Sequence, residues 1–218
     1  MCGIGAVIHK SANISNILYE LLFNLQHRGQ DSCGLMSYDS ITNNLYESKE
    51  FGLIDKHIKN LSQLIGTMGI GHVRYPTTGL ITKNEIQPFY YSDFDGISLV
   101  HNGNITNVEE LKTIFNIKTN STSDSEIMLQ IFILLLKQEI ANITENSNII
   151  EDITEDIIVK CVKNIYDVCK GSYSIIIMIN KYGLIAFRDM HGIRPLVYSQ
   201  NDNYIAIASE TIALSTDN

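Results

Sequence analysis

The sequence lacks any long hydrophobic run and any cluster of basic residues. Its longest run of aliphatic and aromatic residues is IFILLL at 131–136, far shorter than the roughly 20 residues that a membrane-spanning helix needs. No basic segment followed by an apolar one opens the chain, so no secretory signal is predicted. The 218 residues include 16 Lys and Arg against 24 Asp and Glu, a net charge of −8 that argues against a nucleic-acid partner. We therefore predict a cytoplasmic protein that binds neither membrane nor nucleic acid.

Cysteine is also scarce and not arranged for metal binding. The four cysteines form no CxxC pair, and their spacing is not that of a zinc or iron–sulfur site, so we expect no metal. Cys161 and Cys169 lie in an apolar periodic segment and are predicted to be small buried residues. Cys33 is ambiguous. Cys2, directly behind the initiator methionine, is not explained as a core residue.

The hydrophobic pattern predicts an α+β fold with a sizeable core. Helices are predicted at 14–26, at 107–116, from 123 onward and at about 157–169. Strands are predicted at 3–8, 33–39, 44–50, 68–74, 97–101, 172–180, 184–188, 196–199 and 204–208. Strands followed by helices and then by strands again indicate a layered protein rather than alternating βαβ units.

Two helix starts and one loop can be located more closely. Capping boxes are predicted at Thr106 with Glu109 and at Ser123 with Glu126. The Asn-rich and acidic segment 141–152 is predicted to be a surface loop.

Cys2 can supply both a nucleophile and a base. Removal of Met1 is favoured because the next side chain is small, and it would leave a free α-amine on Cys2. That amine titrates at pH ~7.7–8.0 and the thiol near ~8.5, so both are usable near neutral pH. A bridging water can carry the proton between them. Met-Cys starts also occur by chance, so this feature alone does not indicate an enzyme.

Three later segments carry polar residues suited to an amino-acid substrate. Arg74, in GHVRYPTTG, ends a predicted strand and offers a planar fork to a carboxylate. Asn102 and Gly103, in LVHNGNITN, follow the end of an apolar strand and can form an oxyanion hole. Asp124, in STSDSEIM, can hold an ammonium group. Arg74 and Asp124 together would grip an amino acid and leave its side chain free to meet Cys2.

Each segment also has a plainer interpretation. Arg74 can be a surface arginine, and the Asn-Gly pair can be a hairpin turn. Asp124 can simply compensate the dipole of its helix. No single segment decides between these interpretations.

Five segments in this order, MCGIGAV, LQHRGQDSCGL, GHVRYPTTG, HNGNITN and SDSEI, resemble the class II glutamine amidotransferase domain of the N-terminal-nucleophile hydrolases. More narrowly, they are similar to the glutaminase domain of the amidophosphoribosyltransferase family, as are AFRDMHGIRPLVYS at 186–199 and ASETIAL at 208–214. Hexosamine-forming relatives would read closer to YRGYDSAG and TRWATHG. The resemblance spans essentially the whole chain.

The resemblance implies a four-layer αββα sandwich of two antiparallel sheets, with Cys2 at the start of an inner strand. It implies these site residues: Cys2 as nucleophile, the Asn102 side chain and Gly103 N–H as oxyanion hole, Arg74 and Asp124 as ligands of the glutamine α-carboxylate and α-amino groups, and Gly29, Tyr75 and Thr77 lining or closing the pocket. The glycines of CGIG would suit a close approach of backbone and substrate.

The resemblance also implies one glutaminase domain over 2–218, with glutamine as substrate and no cofactor. A family enzyme of full length would add a C-terminal phosphoribosyltransferase domain, absent from this sequence, that uses Mg²⁺ with phosphoribosyl pyrophosphate. That domain, or a separate subunit, would accept the ammonia in the first committed step of purine synthesis. Another class II amidotransferase, such as a hexosamine-forming one, and a catalytically idle regulatory or structural domain remain alternatives. The oligomeric state, a homo-oligomer included, is left open.

Overall fold

The computed structural model describes residues 1–57, 61–75, 82–143 and 150–215. Its strands form two sheets in which every neighbouring pair is antiparallel. The six-stranded sheet runs β3 (Asn44–Phe51), β2 (Ser32–Asp39), β4 (Met68–Arg74), β1 (Gly3–His9), β10 (Tyr204–Ala208), β9 (Val197–Gln200). The four-stranded sheet runs β5 (Phe89–Tyr91), β6 (Ile97–Ile105), β7 (Gly171–Ile179), β8 (Gly183–Arg188).

The helices are α1 (Ser15–Asn24), α2 (Ile54–His57), α3 (Val108–Phe115), α4 (Asp124–Ala141) and α5 (Glu155–Val168). The predicted helices and strands are confirmed in type, with ends that differ by a few residues; β5 and α2 were not predicted. Part of the predicted 141–152 loop, 144–149, lies outside the described residues, and a short 3-10 helix occupies Ile150–Asp152. In the described ranges, no helix combines the length and hydropathy needed to cross a bilayer.

One predicted capping box is wrong and the other forms only in part. Thr106 does not cap α3, because its hydroxyl donates to the Lys170 carbonyl (3.2 Å), and the N-cap residue is Asn107. At α4 the Ser123 hydroxyl accepts the Ser125 N–H as expected. The Glu126 carboxylate turns instead to the preceding loop, where it accepts the N–H of Ser121 (2.8 Å).

Helix α1 covers the outer face of the six-stranded sheet. Its side chains Leu18, Leu21 and Leu22 are buried in one cluster with Val7 and Leu35 of the strands. Burying apolar area of this kind contributes about 25 cal/mol per Å², which explains why the amphipathic pattern of α1 is a reliable signal.

Helices α4 and α5 cover the outer face of the four-stranded sheet, where Phe132 and Ile165 pack with Leu99 and Ile175. Successive strand residues point to opposite faces, so each sheet also has an inner apolar face. The inner faces meet in a third cluster, formed by Ile4, Ala6, Met36, Tyr38, Met68, Ile70, Val100, Ile176 and Met178. The layers are therefore helix, sheet, sheet, helix, as expected.

The glycines that open β1 make room for the helix layer. A Cβ on Gly5 would lie 2.0 Å from Leu21 Cδ2, and one on Gly3 would lie 3.0 Å from Leu25 Cβ. Both glycines face the helix layer, and a close approach of substrate to this backbone stays a prediction.

The fold fixes the start of the chain inside a sheet. Strand β1 lies between β4 and β10, and Gly3 is opposite Val73. Cys2 is thereby held beside Arg74, the last residue of β4, at one end of the sandwich. The expectation that an inner strand follows Cys2 is confirmed.

Candidate active site

Cys2 is partly buried and has charged neighbours. Its Sγ lies 3.9 Å from the backbone carbonyl of Tyr75. Burial is the main reason that the pKa of the Cys2 thiol is raised; the charges of the terminal amine and Arg74 act against the rise, and that of Asp124 adds to it. The sulfur thus lies within electrostatic reach of both Arg74 and Asp124. A thiol with a raised pKa is protonated at neutral pH and needs a base before it can attack.

Arg74 ends β4, as predicted, and its guanidinium is largely uncommitted. Its Nη1 donates one long hydrogen bond, 3.4 Å, to the Glu85 carbonyl, and it forms no ion pair with the residues that the structure describes. A half-buried guanidinium without a carboxylate partner is suited to bind one from a ligand.

Gly29 packs directly against the end of β4. A Cβ at this position would lie 2.4 Å from the Arg74 carbonyl carbon and 2.6 Å from the Val73 oxygen. Only glycine lets the turn after α1 approach Arg74 this closely.

Asp124 begins α4, as predicted, and its carboxylate is held by β6. Oδ2 accepts the Ile105 N–H (2.9 Å) and Oδ1 lies 3.6 Å from His101 Nδ1. Burial alone would raise the pKa of Asp124, but the His101 ring and the Ile105 N–H together hold it below its usual value. Asp124 is therefore an anion at neutral pH, available to a substrate ammonium.

Glu85 joins the segments that carry Arg74 and Asp124. Its backbone carbonyl accepts a hydrogen bond from the Arg74 guanidinium. Its carboxylate accepts the N–H of Thr122 at 2.8 Å, and Thr122 is two residues before Asp124 in the chain. The two charges predicted to hold an amino acid are thus brought to the same end of the molecule.

Asn102 and Gly103 lie inside β6, not at its end and not in a hairpin turn. The expectation that the strand stops before them is wrong because β7 continues to pair with β6 as far as Ile105 and Gly171. Their geometry is therefore set by a sheet rather than by a loop.

The N–H of Gly103 points away from β7. Gly103 is opposite Tyr173, and the backbone groups of Tyr173 form their hydrogen bonds on the side of β7 away from β6. The Tyr173 carbonyl accepts the Asp189 N–H (2.9 Å), and its N–H donates to the Asp189 carboxylate (3.1 Å). In an antiparallel ladder, a residue whose N–H and C=O bond to the strand on one side forms a non-hydrogen-bonded pair with the residue opposite it on the other side. Tyr173 and Gly103 are therefore a non-hydrogen-bonded pair.

On the free side of β6, alternate N–H groups find side-chain acceptors except at Gly103. The His101 N–H donates to Gln87 Oε1 (2.6 Å), and the Ile105 N–H donates to Asp124 Oδ2 (2.9 Å). The Gly103 N–H between them has no acceptor among the residues that the structure describes. It is a donor left open to a ligand.

The neighbours of Asn102 define the orientation of its buried amide. With Nδ2 towards the Cys2 carbonyl and Oδ1 towards Arg28 Nη2, both hydrogen bonds are 3.2 Å. The carbonyl can only accept and the guanidinium can only donate, so the reverse orientation satisfies neither. Nδ2 keeps a second hydrogen for a ligand. Asn102 is thus tied directly to the backbone of Cys2.

The two remaining predicted residues follow Arg74 in the chain. Tyr75 has a side chain that is about half exposed, with a relative accessibility of 52%, and its carbonyl contacts Cys2. Thr77 lies outside the described residues.

Sequence reasoning gave no role to Arg28, Glu210 or His101. Arg28 is 6% exposed, its Nε donates to the Cys2 carbonyl (2.9 Å), and its Nη1 contacts Glu210. Arg28 and Glu210 both lie in the segments that carry the resemblance, yet nothing local in the sequence pairs them. His101 directly precedes Asn102, and its ring faces Asp124.

The chain resembles known proteins in sequence and in fold. Residues 72–216 match the family described as "Glutamine amidotransferase domain". The amidophosphoribosyltransferase of Pseudomonas aeruginosa is 40% identical over 224 residues, covering 98% of this chain and 42% of that protein. The enzyme of the same name from Escherichia coli is 39% identical over 228 residues, covering 99% of this chain and 43% of that protein.

A solved structure shares the architecture. The B. subtilis glutamine phosphoribosylpyrophosphate amidotransferase, complexed with ADP and GMP, matches with a TM-score of 0.75 at 29% identity, over 98% of this chain and 43% of that chain. This match confirms the expected α+β fold of two antiparallel sheets. The chain spans about two-fifths of the length of these relatives. The matched segment covers more than half of the chain, and the chain therefore belongs to the glutamine amidotransferase domain family.

Proposed function

We propose that the chain hydrolyses the side-chain amide of glutamine to glutamate and ammonia, with Cys2 as the nucleophile. The observation that carries this proposal is the open Gly103 N–H next to Asn102, whose amide is bonded to the backbone of Cys2. Two such donors would stabilise the oxyanion of the tetrahedral intermediate that forms in acyl transfer.

Arg74 and Asp124 are proposed to hold the substrate at its α-carbon. The Arg74 guanidinium, which forms no ion pair within the described part of the chain, suits the α-carboxylate, and the ionised Asp124 suits the α-ammonium, since charge-assisted hydrogen bonds are the stronger ones. Gly29, Tyr75 and Thr77 are proposed to line or close the pocket. Fixing both charged groups leaves the amide as the part of glutamine that reaches Cys2.

The base is proposed to be the α-amine of Cys2, exposed by removal of Met1. The partly buried thiol has a raised pKa, so its proton must be taken up as Sγ bonds to the amide carbon. The amine accepts this proton, through a water, and returns it to the leaving nitrogen as the C–N bond breaks. Water then hydrolyses the γ-glutamyl thioester, which gives glutamate and restores the thiol. These groups supply every step, so we propose no metal or cofactor for this reaction.

The acceptor of the ammonia is proposed from the relatives. Because those are amidophosphoribosyltransferases more than twice as long as the matched region, we propose that the chain is the glutaminase half of such an enzyme in the cytoplasm. A phosphoribosyltransferase domain or subunit would use the ammonia on phosphoribosyl pyrophosphate, the first committed step of purine synthesis.

The test is release of glutamate and ammonia from glutamine by the purified chain, alone and with a phosphoribosyltransferase partner supplied with phosphoribosyl pyrophosphate. We expect release that Cys2→Ala abolishes, and phosphoribosylamine formation with the partner. Release that supports amination of a hexose phosphate instead would favour the hexosamine-forming alternative. No release under either condition would mean an idle domain and would refute the proposal.

A further inference from the structure

The buried guanidinium of Arg28 joins three parts of the candidate site. Its Nε donates to the Cys2 carbonyl (2.9 Å), its Nη2 donates to Asn102 Oδ1 (3.2 Å), and its Nη1 donates to Glu210 Oε1. One rigid planar group therefore fixes both the backbone of the nucleophile and the amide that faces the oxyanion.

Glu210 supplies the negative charge that this buried cation needs. The Arg28 side chain is 5% exposed, and a buried charge without a partner is costly. The second oxygen of Glu210 is also used, because Oε2 lies 2.9 Å from His27 Nε2. Burial alone would raise the pKa of Glu210, but the hydrogen bonds from Arg28 and His27 hold it below its usual value. Glu210 is therefore ionised at neutral pH.

The backbone before Glu210 is fastened to the strand that starts at the nucleophile. The Ser209 N–H donates to the Ile4 carbonyl, and the Ile4 N–H donates to Ser209 Oγ, both at 3.0 Å. Glu210 thus has a fixed position relative to Cys2, although the pair Arg28–Glu210 is separated by 182 positions in the chain.

We propose that Glu210 is a positioning residue for the Cys2 reaction and acts through Arg28. Its carboxylate holds the guanidinium in the one rotamer that reaches both the Cys2 carbonyl and Asn102 Oδ1. That second bond keeps the Asn102 amide turned with Nδ2, not Oδ1, towards the oxyanion. The proposal rests on the glutaminase function proposed above, and it assigns Glu210 to the transition state rather than to substrate binding.

The consequence is a separation of kcat from KM. In Glu210→Gln the shape is kept and the charge is lost, so Arg28 no longer has a counter-charge and Asn102 loses its fixed orientation. Complete loss of an oxyanion donor costs about 100- to 1,000-fold in kcat. For partial misorientation we expect kcat to fall about 10- to 100-fold, with KM for glutamine within about twofold because Arg74 and Asp124 are untouched.

The experiment measures glutamate release by the full chain, with the acceptor partner present, for wild type and Glu210→Gln. Glu110→Gln is the matched control, since it breaks an exposed ion pair with Lys170 (3.2 Å) on the α3 surface and should leave both constants unchanged. Circular dichroism and Tm verify that each variant is folded. An unchanged kcat in folded Glu210→Gln, or an equal rise in KM, overturns the proposal.

A conservative variant covers the case in which Glu210→Gln does not fold. Glu210→Asp keeps the charge but shortens the side chain by one carbon, so kcat should fall less than in Glu210→Gln while KM stays constant. A folded Glu210→Asp with wild-type kcat contradicts the proposal. If the wild type itself releases no glutamate, the proposed function fails, and Glu210 then has no chemistry to position.

Discussion

Replacing Asn102 by Asp removes a hydrogen-bond donor without changing the shape of the side chain. In the wild type, Nδ2 faces the Cys2 carbonyl and Oδ1 accepts from Arg28, each at 3.2 Å. A carboxylate keeps the bond from Arg28, which then becomes an ion pair. On its other side it places an acceptor against the Cys2 carbonyl and a negative charge where the oxyanion forms.

The larger expected effect falls on catalysis. Loss of one oxyanion donor lowers kcat by about 100- to 1,000-fold, and the added charge acts in the same direction, so we expect a loss of at least about 100-fold. The Cys2 carbonyl is not left unpaired, because it still accepts from Arg28 Nε at 2.9 Å. The free energy of unfolding should fall by about 1–3 kcal/mol, because a carboxylate oxygen at this buried position faces the Cys2 carbonyl with no donor between them.

Steady-state glutamate release gives kcat and KM for Asn102→Asp, and denaturant unfolding gives its stability. Asn201→Asp is the matched control. It makes the same chemical change at the opposite end of the sandwich, where Asn201 Oδ1 only accepts the N–H groups of Asn203 and Tyr204 (2.8 and 2.9 Å). A folded Asn102→Asp variant with kcat within threefold of wild type would refute the oxyanion-hole assignment.

Three further predictions concern Asp124, the pH dependence of the reaction and Cys33. Asp124→Asn should raise KM for glutamine roughly 10- to 150-fold, the value of one charged hydrogen bond. A glutamine analogue without the α-amino group should bind the wild type more weakly than glutamine by a similar factor, and should bind the variant as well as glutamine does. Undiminished binding of the analogue to the wild type contradicts the assignment of Asp124 to the α-ammonium. Because the pKa of Asp124 lies below its usual value, KM for glutamine should stay constant from neutral pH down to about pH 5. By contrast, kcat/KM should rise with pH through about 7–8 as the α-amine of Cys2 loses its proton. A KM that increases as the pH drops below about 6 is the opposing result. Cys33→Ala should retain glutamate release, because Cys33 is fully buried and burial raises the pKa of its thiol to about 12; a loss equal to that of Cys2→Ala would mean that the chemistry is misplaced.

Local patterns were sufficient where one element decides its own structure. The stripe of α1 is buried by the sheet beneath it, and Asp124 follows an N-cap serine, so both were predictable from short-range rules. The end of β6 was not, because HNGN reads as a turn and only its long pairing with β7 keeps it extended. The predicted Thr106 cap is wrong because of another contact distant in the chain: the Thr106 hydroxyl donates to the Lys170 carbonyl.

The candidate site divides in the same way. Cys2, Arg74, Asn102, Gly103 and Asp124 occur in recognisable segments, and the structure brings their segments to one end of the sandwich. The orientation of Asn102 depends on Arg28, whose partner Glu210 lies 182 positions away, and no periodicity or motif predicts that contact. The open N–H of Gly103 depends on the register of β6 against β7, because hydrogen-bonded and non-hydrogen-bonded pairs alternate along an antiparallel ladder.

The most direct test of Cys2 as the nucleophile is to react the purified chain with an electrophilic glutamine analogue and locate the adduct by intact-mass and peptide mass spectrometry. We expect one adduct per chain, on a peptide that begins at Cys2 with Met1 removed, and glutamine should slow its formation. An adduct on Cys33, or an equal rate of labelling on chains that retain Met1, would contradict it.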